Sequence, residues 1–186
     1  MARVKPMYRP SDFPEPVDET TRRDIDALFN HLFPGAENPE IDHSHDGLAI
    51  AAQNPKLALN LAKMSGFIAL ELAWCERRDL RELAIQSVNV HFKSDYSFEA
   101  RRRGAEAAGI SSAMQDALTG WDSSDLFDDE QRLVIAYAHA VAAGAVPDEV
   151  FARVIERFGE KGTVELTAVI AFWSFWALFL NATRPD

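Results

Sequence analysis

The chain has 186 residues, enough for one domain with a sizeable buried core. Its formal net charge of −10 argues against nucleic acid and against an anionic membrane surface as partners. Its single cysteine, Cys75, rules out an intrachain disulfide and suits a reducing cytoplasm, the expected location.

Residues 1–17 are rich in proline (Pro6, Pro10, Pro14 and Pro16) and read as an extended arm, able to lie on a neighbouring subunit. The arm starts basic and lacks the apolar run of a signal peptide. From Thr20 to Phe33, Ile25, Leu28, Phe29 and Leu32 recur at helical spacing, and Pro34-Gly35 closes that helix. Residues 36–46 are polar and loop-like. Pro55 after Asn54 suits a helix start, and this helix is predicted to run to about Arg77. Asp79 is the expected cap of a helix reaching Phe92, and Ser94 or Asp95 of one ending near Gly109.

Ser111-Ser112 open a short helix to Gly120, followed by a loop over 121–127. Asp128 starts a helix carrying Leu133, Val134, Tyr137, Ala138 and Val141. Pro147 starts another, with Val150, Phe151, Val154, Ile155 and Phe158 on its apolar face. A last helix is predicted over 163–181. Its run from Leu166 to Leu180 is almost wholly apolar, but at fifteen residues it falls short of the ~20 that a spanning helix needs. It reads as a core or subunit-interface helix, not a membrane anchor. No segment alternates as a strand would.

The most informative stretch is Glu82 to Arg101. Ser94 stands twelve positions after Glu82, Ser97 three after Ser94, and Arg101 four after Ser97. This register resembles the signature of the alkylhydroperoxidase D / carboxymuconolactone decarboxylase superfamily, written in its redox branch as Glu, eleven residues, Cys-x-x-Cys, three residues, His. Here both Cys positions are Ser and the His position is Arg. Asp46 to Leu57, Asp128 to Gly159 and Phe172 to Ala182 are also similar to segments of that family. The resemblance covers residues 45–184 and divides the chain into an arm with its first helix (1–44) and a family-like domain (45–186). It implies an all-α, single-domain helical bundle of the alkylhydroperoxidase D-like type, assembled as a homo-oligomer, a trimer or hexamer.

Ser94, Ser97 and Arg101 follow an i, i+3, i+7 pattern and share one helical face. A helix starting at Ser94 would offer free backbone N–H groups, and with Arg101 it would make a pocket for a substrate carboxylate. Glu82 is the candidate proton shuttle, with Tyr96 and His91 as stabilisers of the developing charge. A bland alternative is open at the same residues: Glu82 and Arg101 as a buried ion pair, with the serines as caps. Asp42-His43-Ser44-His45-Asp46 holds metal-ligand residue types but reads as a solvated loop, so no metal is expected. His139 reads as a hydrogen-bonded core histidine and Cys75 as a small core residue.

The resemblance implies a cofactor-free, decarboxylase-like lyase, or an isomerase, acting on a small carboxylated substrate that is cyclic or a lactone. The alternative is a non-catalytic ligand-binding or structural oligomer with a decayed site. A thiol peroxidase is disfavoured, because serine cannot cycle through a disulfide.

Overall fold

The structure, a computed structural model, describes residues 3–184. It is all-α: eight α-helices and no strand are found among the described residues. Contacts gather the chain into two compact units. One comprises the residues up to Phe67 together with those from Ala182, and the other comprises Ile68–Asn181. The boundary expected between residues 44 and 45 lies inside the first of these.

The first unit contains α1 (Glu19–Leu32), α2 (Asp46–Ala51) and α3 (Pro55–Leu70) as far as Phe67. Asp18 caps α1, its Oδ1 accepting from the Thr20 and Thr21 amides at 2.9 and 3.0 Å, which satisfies two otherwise orphan donors. Ile25, Leu28 and Phe29 form the buried face of α1, as their spacing predicts. The proline-rich arm docks on its own chain. Met7 and Phe13 are buried, the Met7 amide donates to the Ala49 carbonyl at 2.8 Å, and the Ile41 amide donates to that of Tyr8 at 2.9 Å. Asp46 ties both ends of this unit together, accepting from Tyr8 Oη and from Arg184 Nε at 2.6 Å each.

The second unit is built around α4 (Arg78–His91), in which every residue from Leu80 to Asn89 is buried. Leu80, Ala84, Ile85 and Val88 pack with Leu133, Val134, Tyr137 and Ala138 of α7 (Asp129–Ala142). They also pack with Leu166, Val169, Ile170, Trp173 and Ala177 of α8 (Asp148–Thr183). Leu83, on the other side of α4, joins a smaller cluster with Ala105, Ile110, Leu118, Phe127 and Ile135. That cluster is completed by α5 (Asp95–Ala107), α6 (Ser112–Ala117) and a 3-10 segment, Leu118–Ser123. Asp128 starts α7 with a capping box, reciprocated by Gln131.

Three expectations are corrected. First, α3 ends at Leu70, not near Arg77, and a 3-10 turn at Ala73–Cys75 follows. The Ala73 amide donates to Glu165 Oε2 at 3.0 Å and Trp74 Nε1 to the Gly162 carbonyl at 2.8 Å, so tertiary bonds pull this stretch out of the helix. Second, Asp79 does not cap α4. Arg77 holds the cap position, and Asp79 in the first turn accepts from it. Third, the two expected carboxy-terminal helices form one run, α8, broken at Gly159 (φ 70, ψ 172). By length and composition α8 could cross a membrane, and 39% of its most apolar stretch is buried. Its outward residues include Val164, Phe175 and Leu178.

Candidate functional site

Glu82 and Arg101 meet, as their register predicts. Arg101 Nε donates to Glu82 Oε2 at 3.1 Å, and Arg101 Nη2 lies 2.7 Å from both carboxylate oxygens. The geometry is that of a bidentate guanidinium–carboxylate pair, the strongest kind of charge-assisted contact. The Glu82 side chain is only 4% exposed, whereas that of Arg101 is 31% exposed. Arg101 also lies over the Trp173 ring of α8, 5.1 Å from its centroid.

A third member was not expected. Arg81, next to Glu82 on α4, is buried, reaches Glu82 Oε1 through Nη2 at 3.4 Å and donates through Nη1 to the Ala69 carbonyl at 2.8 Å. One carboxylate therefore serves two guanidinium groups. A buried Glu is tolerated on such terms, since an unpaired buried charge is very costly.

Ser94 and Ser97 are both buried at the start of α5. Ser94 occupies the cap position, but its hydroxyl caps nothing: Oγ is buried without a hydrogen-bond partner. Its amide instead donates to the Asn89 carbonyl at 2.8 Å, closing the turn through Lys93 (φ 52). Tyr96 is half-buried in the first turn of α5.

His91 does not join Glu82. Nine residues along a helix is about two and a half turns, which puts the two on opposite sides of α4. His91 meets His139 of α7 instead, with Nδ1 to Nδ1 at 3.4 Å. His139 is half-buried, has no partner at Nε2, and lies beside the Trp121 ring, nearly parallel to it at 6.3 Å. Burial, and then the charge of His91, hold His139 below the ordinary histidine pKa.

A polar network between α4, α5 and α6 also escaped the sequence reading. Asn89 donates to Gln86 Oε1 at 2.8 Å, and Gln86 donates to Gln115 Oε1 at 2.9 Å and to the Phe98 carbonyl at 3.1 Å. Gln115 donates onward to the Ile110 and Arg102 carbonyls. The signal available was Glu82, Gln86 and Asn89 recurring at helical spacing on a helix whose residues 80–89 are otherwise apolar but for Arg81 and Ser87, a stripe that faces α5 and α6.

In the first unit, the residues of 42–46 disperse to separate tasks. Asp42 accepts from the Ser44 amide at 2.7 Å, His45 Nδ1 meets Ser44 Oγ, His43 packs on Tyr8, and Asp46 takes Tyr8 and Arg184. The Ser44 hydroxyl and amide hold Asp42 below the usual carboxylate range. Among the described residues, no three of His, Cys, Asp or Glu gather to hold a metal ion.

No protein-family model matches the chain, and comparison with curated proteins and with solved structures gave no match.

Proposed function

We propose that the chain is a non-catalytic ligand-binding or structural protein of the alkylhydroperoxidase D-like type, assembled as a homo-oligomer, in which the Glu82 position holds helices together and does not move protons. One observation carries this reading: both Glu82 oxygens are engaged by Arg101, with Arg81 behind one of them. A general base must offer a lone pair to the substrate proton, and a carboxylate held by two guanidinium groups is a poor one. The two serines at the thiol positions agree with the absence of dithiol chemistry.

A second reading, the cofactor-free lyase or isomerase, is favoured by two details of the same place. Arg101 keeps 31% of its side chain exposed, and Ser94 Oγ is a buried hydroxyl with no partner. A substrate carboxylate that exchanged onto Arg101 would free Glu82 to take a proton.

The test is incubation of the wild-type protein with small carboxylated lactones and cyclic acids, followed by mass spectrometry, with a thermal-shift screen in parallel. The first reading expects no loss of CO₂ and no isomerised product, with any ligand acting only by raising the melting temperature. Turnover that disappears in Arg101→Ala would replace the first reading with the second.

A further inference from the structure

The pair His91–His139 belongs to neither reading of the Glu82 site. It joins the last turn of α4 to the last turn of α7, the two helices whose packing forms much of the second unit's core. Nitrogens 3.4 Å apart share one proton in a neutral pair, with one Nδ1–H donating to the other ring's Nδ1. Because His139 Nε2 is buried without an acceptor, the favoured arrangement leaves that nitrogen bare and puts the shared proton on His139 Nδ1. An added proton finds no good place in this pair: between the rings it would set two N–H groups face to face across 3.4 Å, and on His139 Nε2 it would make a buried N–H with no acceptor.

We infer that the His91–His139 contact is an acid-sensitive latch between α4 and α7, closed while the pair is neutral and opened by an added proton. Among the described residues, no carboxylate pairs with either ring. Facing His139 are His91 from α4 and Trp121 from the 118–123 segment. From α8, Asn181 donates to the Phe92 carbonyl beside His91, and Thr167 serves Tyr137, neither of them titratable. The charged residues of α7 itself, Asp129, Glu130 and Arg132, stand near its opposite end. Lys93 and Asp95, both exposed, follow His91 in sequence. Opening would loosen the turn through Lys93 that delivers Ser94 to the start of α5.

The sign follows from the folded state. His139 titrates below its unfolded value, so its contribution to stability is complete above about pH 6.5 and is lost as the pH falls through its depressed folded pKa.

Hydrogen exchange read by NMR tests this directly. Protection factors for amides 88–92, corrected for intrinsic exchange and referred to those of α1, are expected to fall between pH 7.5 and 5.5, the direction that the depressed His139 pKa sets. His91→Gln, a change at a half-exposed position, is expected to abolish that fall and to raise the His139 titration midpoint. His139→Asn is expected to abolish it too, and the His91 variant carries the test alone if His139→Asn does not fold. Protection independent of pH in the wild type, or a fall that survives His91→Gln unchanged, would overturn the latch.

Discussion

Glu82→Gln is the sharpest perturbation of the central site. The amide keeps the shape of the side chain but supplies one acceptor oxygen where the carboxylate had two. Its NH₂ group would then point at a guanidinium N–H, donor against donor. Arg81, 9% exposed at its side chain, loses its counter-charge and keeps only the Ala69 carbonyl. Removing one partner of a buried pair costs about 3–5 kcal/mol. The low end, ~3 kcal/mol, applies here, because Arg101 is exposed enough to recover some hydration. For a chain of this size that corresponds to a fall of about 6–12 °C in melting temperature. The assay is thermal unfolding at neutral pH, followed by circular dichroism, with a urea titration as a check. Adding Arg101→Met to Glu82→Gln should cost little more, since one stranded cation is removed. A melting temperature within 1 °C or so of wild type would refute the clamp, because the carboxylate would then contribute nothing that an amide cannot.

Gly159→Ala should cost about 1–3 kcal/mol in a urea titration, because its backbone lies in a region essentially restricted to glycine, although a Cβ there would meet open space. A gain in stability, as alanine's helix propensity alone would give, would count against the break in α8. Asp128→Ala removes the α7 capping box and should cost about 1 kcal/mol by the same measurement, and no change would mean that the α7 start is held by packing alone. Light scattering is expected to give a multiple of the 20.8 kDa chain mass, and a stable monomer at micromolar concentration would defeat the oligomer. Organic hydroperoxide should not be turned over with dithiothreitol, and turnover surviving Cys75→Ser would show a chemistry that neither reading contains.

What was legible in the sequence was local or spaced by a helical period. Ile25, Leu28 and Phe29 at helical spacing, Pro55 after Asn54, and Asp128 ahead of Leu133 and Val134 each mark a helix start or a buried face within a few residues. The Glu82–Arg101 pairing was legible because it rides on a family-like register. What was hidden depended on distant partners. Nothing near Trp74 announces that Gly162 and Glu165 will end α3 early, and the apolar run through Leu70–Cys75 continues helical periodicity. Arg81 was hidden for a different reason: neighbours on a helix diverge by ~100°, so only the length of its side chain brings it back to Glu82. His91 was misplaced by neglecting that angle, and its true partner lies 48 residues away on α7.

The Asp46 junction has a consequence for synthesis. The first unit is not finished by its own amino-terminal stretch, because Arg3 bonds the Thr183 carbonyl and Arg184 shares Asp46 with Tyr8. Emerging chains ordinarily fold their leading unit first. Here the leading unit lacks its closing piece until residue 184 has cleared the ribosome, by which time all of Ile68–Asn181 has been made. The later-encoded unit is thus able to complete its structure before the earlier one. A released chain ending at Asn181 would resist protease over 68–181 while its arm and Asp46 remained open to cleavage.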